Sequence, residues 1–270
     1  MTLSTRPRAV VTGAGSGLGR AFCLELVRRG AKTLAADIDL AAAEATVRLV
    51  EQAGGQAVPV QCDVSKPDAI ERLAAKADEA IGGADLLVNN AGVAVGGPMG
   101  VVPLADWEWI LGVNLWGVIH GCHTFVPRFK AQGRGHIVNV ASAAGLVSGP
   151  ELAPYNVTKA GVVALSEALS VELREQGIGV TVLCPTFFRT SIARSSRSRA
   201  ALSKEYIESL MEQTEVQAPE VARFALDAAD AGKLYALPHR DGRWAWRAQR
   251  VDPERFYASI VPTMAARMRR

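Results

Sequence analysis

The segment Arg8–Thr12 runs directly into Thr12-Gly13-Ala14-Gly15-Ser16-Gly17-Leu18-Gly19-Arg20, and an apolar-periodic stretch follows at once. A β-type run, a glycine-rich turn and an amphipathic helix in immediate succession leave few folds open. Glycine here permits a tight turn and lets backbone N–H groups approach a pyrophosphate, whose charge the helix N-terminus favours. Glycines alone would also suit an ordinary loop. The deciding neighbour is Asp37, at the end of the next β-type run in Leu34-Ala35-Ala36-Asp37-Ile38-Asp39. Dinucleotide-binding units carry an acid about 20 residues beyond the glycines, where it accepts hydrogen bonds from the adenosine ribose hydroxyls and repels a 2′-phosphate. Neither Ser16 nor Ile38 offers a cation to such a phosphate. The reading is NAD rather than NADP. Asp39 suits the cap of the following helix better than Asp37 does, and Arg20 stands in the first turn of the first helix, placed to reach toward the phosphates.

The same alternation continues along the chain. β-type runs at 8–12, 33–37, 57–62, 86–90, 136–141, 180–184 and 234–237 alternate with helical patterns beginning near Gly17, Leu40, Lys66, Pro103, Pro154, Ser203 and Pro219. Such alternation predicts βαβ units, hence an α/β, Rossmann-like, doubly wound parallel sheet with helices on both faces. With no linker, repeat or low-complexity stretch, residues 1–270 read as a single dinucleotide-binding catalytic domain. Residues of about 190–215, opening on the serine- and arginine-rich run Thr190 to Leu202, read as a substrate loop, and about 240–270 as a C-terminal extension.

Tyr155 and Lys159 stand four residues apart in Pro154-Tyr155-Asn156-Val157-Thr158-Lys159, so on a helix they share one face. An ammonium beside a phenol favours the phenolate, which predicts a Tyr155 pKa below the reference of about 10. A tyrosine tuned this way exchanges a proton with an alcohol or ketone near neutral pH. The pair alone occurs by chance on many surface helices; Ser142 upstream and the glycine-rich turn give it meaning.

In order and spacing, the Thr-Gly-x-x-x-Gly-x-Gly turn, Asn89-Asn90-Ala91-Gly92, Ser142 and Tyr155-x-x-x-Lys159 resemble the classical short-chain dehydrogenases/reductases, over roughly residues 8–240. The resemblance implies a seven-stranded doubly wound sheet and hydride transfer between NAD(P) and a hydroxyl or carbonyl carbon. Position by position it implies Tyr155 as general acid/base, with Lys159 lowering the tyrosine's pKa and holding the nicotinamide ribose. Ser142 would hydrogen-bond the substrate oxygen, and Asn114 would complete a water-linked proton relay to the lysine. For the cofactor it implies Gly13, Ser16, Gly17, Leu18 and Gly19 in the turn, with Asp37 at the ribose and Asp63 and Val64 at the adenine. Asn90, Ala91 and Gly92 would line the cofactor together with Tyr155, Lys159 and Pro185, and Thr190 would bind the carboxamide. One departure is visible: the family's usual Pro-Gly after the sixth strand is Pro185-Thr186 here, a change that bears on pocket shape and removes no catalytic group.

The expected function is therefore an NAD-dependent oxidoreductase interconverting a secondary alcohol and a ketone. A non-catalytic NAD-binding redox sensor could keep the fold but needs no Asn-Ser-Tyr-Lys set; another short-chain reaction such as epimerisation is the alternative among enzymes. Residues following the strands, Val93, Ala94, Ala143, Ala144, Leu152, Phe187, Phe188 and Ile192, are mostly apolar and point to a hydrophobic small molecule. The segment Trp107 to Phe129 and the helix after Tyr155 carry more apolar side chains than one sheet face absorbs, so a homodimer or homotetramer on a two-fold axis is expected.

Cys23, Cys62, Cys122 and Cys184 are scattered, with no Cys-x-x-Cys, which suits reduced, buried thiols rather than disulfides or zinc. His120 and His123 read as structural, and no metal is expected. From His239 to Arg270 eight arginines oppose Asp241, Asp252 and Glu254, a local +5, so that the chain's net +3 leaves −2 for the remainder. Trp244 and Trp246 among those arginines raise nucleic-acid binding; no such motif accompanies them, and the reading is a solvated extension whose tryptophans pack. No apolar run approaches the roughly 18 residues of a membrane span. Met1 to Arg8 lacks a signal-peptide apolar region, so a cytoplasmic protein with no membrane partner is expected.

Overall fold

Strands of apolar and β-branched residues, buried on both faces, build the centre of the molecule. In the computed structural model, which describes Leu3 and residues 6–190, 192, 196–198, 211 and 214–259, nine strands are found: β1 (Arg8–Thr12), β2 (Lys32–Asp37), β3 (Gln56–Gln61), β4 (Leu86–Asn89), β5 (Val95–Gly96), β6 (Gly135–Val140), β7 (Ile178–Leu183), β8 (Arg197–Ser198) and β9 (Tyr235–Ala236). Seven form one sheet in the order β3-β2-β1-β4-β6-β7-β9, every neighbouring pair parallel. Val10, Val11, Leu86, Leu87, Val88, Ile137 and Val138 have no exposed area. The doubly wound seven-stranded sheet expected from the alternation and the resemblance is the architecture found.

The helices are α1 (Gly17–Arg28), α2 (Leu40–Gln52), α3 (Pro67–Ile81), α4 (Leu104–Leu111), α5 (Gly117–Gln132), α6 (Ala153–Glu172), α7 (Ala218–Asp230) and α8 (Arg240–Val251). Apolar stripes of α3, α5 and α6 meet one face of the sheet through Leu73, Phe125, Phe129 and Val162. Those of α1, α2 and α7 meet the other through Phe22, Leu26, Val50 and Leu226. Local signals set the ends: Asp39 accepts the Ala42 N–H at 3.2 Å and caps α2, and Pro67 opens α3 while Gly82, at φ 75°, closes it.

Three features had no sequence signal. A π-helical turn, Gly112–Trp116, joins α4 to α5, with the Gly117 N–H bonded to the Gly112 carbonyl. The two-residue strands β5 and β8 pair outside the main sheet and are too short for a period-2 pattern. α8 lies in the stretch read only as an extension. The helical pattern near Ser203, most of the 190–215 loop and residues 260–270 lie outside the described residues. All four cysteines are buried and unpaired; burial pushes the Cys23, Cys122 and Cys184 thiols up to about 12. Among the described residues no helix is long and apolar enough to cross a membrane.

His136, at the start of β6, is buried against β7. Its Nε2 lies 2.9 Å from the Thr181 hydroxyl, which in turn donates to the Lys233 carbonyl at 2.8 Å. Burial drives its pKa from 6.5 down to about 4. Unfolded chains take up this proton as pH falls below about 6.5 while the folded chain resists it. The neutral ring's contribution should therefore be whole above that pH and be lost, to the extent of ~3 kcal/mol, as pH falls to about 4. Urea midpoints measured across this range should drop more steeply for the native chain than for His136→Gln; parallel curves would exclude His136 as the cause.

Candidate active site

Strand order reverses between β1, which leads on to β2 and β3, and β4, which leads on to β6, β7 and β9. At such a switch point the connections leave in opposite directions and a crevice opens at the carboxyl ends. Its floor is clamped by Thr12 and Asn90. The Thr12 hydroxyl accepts the N–H groups of Asn90 and Ala91 at 3.0 and 3.1 Å, and the Asn90 amide donates to the carbonyls of Thr12 and Gly13 at 2.8 and 3.1 Å. The turn needs its glycines. A Cβ on Gly19 would stand 2.0 Å from the Gly13 carbonyl oxygen, and Gly13 itself adopts φ +64° against the Ala91 backbone. Gly17 and Ser16 sit at the start of α1. The Leu18 side chain belongs to the core.

Asp37 bends back over this turn. Its Oδ2 accepts the Gly15 N–H at 2.8 Å and its Oδ1 the Asp39 N–H at 3.1 Å, leaving lone pairs on both oxygens for further donors. The Arg20 guanidinium bonds the Thr46 hydroxyl at 3.0 Å and the Gly15 carbonyl. Thr46 also donates to the Ala14 carbonyl at 2.8 Å, so Arg20 on α1 and Thr46 on α2 brace the turn together, a role no local motif announces. After β3, Asp63 caps its own loop through Ser65 at 2.7 Å, and the buried Val64 offers its carbonyl to His120 Nδ1 at 3.0 Å. His120 is thus tied into the fold, as expected of a structural histidine.

Asn114 lies inside the π-turn, where the wider helix lets its amide face inward. It is fully buried, accepts the Val93 N–H at 2.8 Å and donates to the Val93 carbonyl at 2.9 Å. Asn114 and Lys159 both border Gly92: a Cβ there would sit 3.4 Å from Asn114 Oδ1 and 3.6 Å from Lys159 Nζ. Lys159, on α6, is buried and donates to the Val140 carbonyl at 2.8 Å; its Nζ stands 5.7 Å from the centre of the Tyr155 ring. Ser142 caps the short 3₁₀ turn Ala143–Gly145 by accepting the Ala144 N–H at 3.1 Å, and its hydroxyl reaches the Pro185 carbonyl at 3.4 Å.

The expected depression of the Tyr155 pKa is not found. Burial raises it above 10, and a hydrogen bond with Ser142 only partly opposes this. Burial also lowers Lys159 to about 8. Loss of hydration is the leading cause of both shifts.

The remaining positions are less tightly drawn in. Thr190 turns its hydroxyl to the Ile192 N–H at 3.2 Å. Phe188, expected at the pocket, is 6% exposed and belongs to the core, stacked on His239; Phe187 is exposed. Tyr155, like Val93, Trp107 and Trp109, packs against the small buried cluster of Val95, Val102 and Ile110. Over Trp109 the Arg197 guanidinium sits 3.9 Å from the ring centre while pairing with Asp106 at 2.9 Å. In the extension Trp246 packs on Tyr235 at 4.8 Å, whereas Trp244 is exposed.

Known proteins share this architecture. Residues 7–201 match the family model described as short chain dehydrogenase. The 1-deoxy-11-beta-hydroxypentalenate dehydrogenase of Streptomyces exfoliatus is 33% identical over 265 residues, covering 97% of this chain and 93% of that protein. The protein named "Probable oxidoreductase EphD" from Mycobacterium tuberculosis (strain ATCC 25618 / H37Rv) is 38% identical over 187 residues, 69% of this chain, and the chain spans only about a third (32%) of that relative's length. Among solved structures, a short chain dehydrogenase/reductase from Burkholderia phymatum in complex with NAD has a TM-score of 0.86 at 36% identity, covering 92% of this chain and 94% of that one.

Proposed function

The chain belongs to the short-chain dehydrogenase family, and from that premise we propose that it is an NAD-dependent oxidoreductase interconverting a secondary alcohol and a ketone on a largely hydrophobic substrate. The observation that carries the reading is Tyr155 and Lys159 together on α6, with Lys159 Nζ 5.7 Å from the centre of the Tyr155 ring, beside a glycine cradle. The cradle suits a dinucleotide: side chains are excluded at Gly13 and Gly19, backbone N–H groups line the start of α1, and Asp37 keeps acceptor capacity for ribose hydroxyls while opposing a 2′-phosphate. Gly13, Ser16, Gly17, Leu18, Gly19, Asp37, Asp63, Val64, Asn90, Ala91, Gly92, Pro185 and Thr190 are the cofactor positions of this proposal. Bound there, NAD supplies the hydride acceptor and donor. A neighbour crystallised with NAD and a relative named as a dehydrogenase support the assignment.

The residues then divide the proton work. Ser142, whose hydroxyl rests toward the Pro185 carbonyl at 3.4 Å, turns its single proton to the substrate oxygen, and Tyr155 takes the hydroxyl proton in oxidation or returns it in reduction. Tyr155 rests as a neutral phenol, so it is ready to donate; as an acceptor it needs charge stabilisation from Ser142 and from Lys159, which with a pKa of about 8 is largely protonated at neutral pH. Asn114, converging with Lys159 beside Gly92, passes protons onward through water. The apolar surroundings of Tyr155 favour a hydrophobic, ring-containing alcohol over a sugar phosphate. A pure NAD-binding sensor would have no use for this proton path. We read residues 1–270 as one domain with a substrate loop and extension. The assembly is a two-fold homo-oligomer through the α4–α5 segment and α6, where Trp116 and Val157 are 54% and 50% exposed.

Replacing Tyr155 with Phe removes the exchangeable proton and keeps the ring, so NADH should still bind, with its fluorescence as readout, while alcohol oxidation falls at least ~100-fold. Near-normal turnover in Tyr155→Phe would sink the assignment. Kinetics with both cofactors should show the native chain preferring NAD, and Asp37→Ala should weaken NAD use and narrow the preference; equal native use of NADP means that Asp37 has been misread. Light scattering at micromolar concentration should give the mass of two or four chains, and a single-chain mass rules the assembly out.

A further inference from the structure

The peptide unit between Pro185 and Thr186 is held from both edges. Its carbonyl accepts the Ser142 hydroxyl at 3.4 Å and the Ala143 N–H at 2.9 Å. Its N–H donates to His239 Nδ1 at 3.2 Å. A trans peptide is planar, with N–H and C=O pointing in opposite directions. Fixing the N–H therefore fixes where the carbonyl points, and turning the plane would swing the carbonyl away from Ser142.

His239 is well placed to do the fixing. It is 4% exposed, its ring stacks on Phe188 at 6.1 Å, and its Nε2 faces the Val216 carbonyl at 3.2 Å. An amide N–H can only donate, so Nδ1 carries the lone pair and Nε2 the proton. That is the neutral ring, consistent with burial holding its pKa below the usual imidazole value. Thr186 is seated on the first turn of α8 by its own side chain. The hydroxyl donates to Asp241 at 3.3 Å, and the methyl stands where a Cβ on Gly242 would be 2.8 Å away. The β-branched residue that departs from the family's glycine thus docks this loop onto the C-terminal helix.

We propose that His239 is a positioning residue that orients Ser142 by gripping the Pro185–Thr186 peptide plane. The proposal rests on the roles given above to Ser142 and Tyr155. Its test combines a double-mutant cycle with hydrogen exchange, using NAD and the most active member of a panel of ring-containing secondary alcohols. His239→Leu, which has no acceptor, should lower kcat ~10-fold, the size of one lost hydrogen bond to a buried group, with KM for NAD little changed. His239→Asn, whose side-chain oxygen overlays Nδ1, should recover most of the loss. In a Ser142→Ala background His239→Leu should cost nothing further, because the group it positions is gone. Additive losses, or failure of Asn to rescue, would overturn the proposal. The Thr186 amide, followed by NMR in the chain without cofactor, should exchange slowly in the native and Asn forms and rapidly in the Leu form; equal exchange in all three also overturns it. A native chain that oxidises no alcohol on the panel overturns instead the functional reading beneath, an outcome distinct from additive losses in an active enzyme.

Discussion

Everything at the crevice depends on the clamp between Thr12 and Asn90. β1 and β4 send their connections to opposite sides of the sheet, so nothing in the sheet ladder itself draws the two loops together beyond the strand ends. Four hydrogen bonds from two side chains do it, each between 2.8 and 3.1 Å. The groups involved are largely withdrawn from water, so leaving any one unpaired costs about 1–3 kcal/mol, more than the bond's net gain in forming. That asymmetry makes the clamp all-or-none. It also fixes the Gly13 carbonyl against the start of α1, where only a glycine at 19 leaves room. The entry of α1, the reach of Asp37 to Gly15 and the bracing of the turn by Arg20 and Thr46 all follow from that placement.

At the other end of the crevice the governing term is burial. Tyr155 and Lys159 are each pushed toward their neutral forms by the loss of hydration, the phenol upward and the amine to about 8. A shared helix face brings them close, and loss of hydration is still the leading cause of both shifts. The protein thus holds a neutral acid next to a cation that is itself easily discharged, with Ser142 as the bridge to a third oxygen. Charge that develops there during a reaction meets groups already aimed at it, which is worth more in a poorly hydrated site than in water.

How the C-terminal helix joins this arrangement explains a residue that looked anomalous. Thr186 stands where the family has glycine, and a β-branched side chain beside the crevice ought to crowd it. Instead its methyl and hydroxyl turn toward Gly242 and Asp241 on α8. The small residue on one element and the branched residue on the other are a fitted pair. The loop carrying Pro185 is thereby anchored from outside the sheet, by the segment read as a solvated extension with packed tryptophans.

Much of this was legible in the chain. Runs of β-branched residues separated by amphipathic stretches dictate a parallel, doubly wound sheet, because only strands covered on both faces bury such runs. Glycine spacing locates the tight turn, and the spacing of Tyr155 and Lys159 puts both on one face of α6, since helix periodicity is a local property. Asp39 as the cap of α2 was equally local. What sequence spacing could not reach are terms set by the surroundings of a group. The direction of the Tyr155 shift is decided by how much water the fold removes, not by the neighbour four residues on. The π-turn at Asn114 is held by Val93 and Thr158 across the crevice, the brace of Arg20 by a threonine 26 residues away, and the grip of His239 on Thr186 by packing over 53 residues. Local periodicity and steric permission determined the elements and the motif positions; desolvation and long-range hydrogen bonding, which exist only once the chain is folded, decided how the side chains are charged, aimed and held.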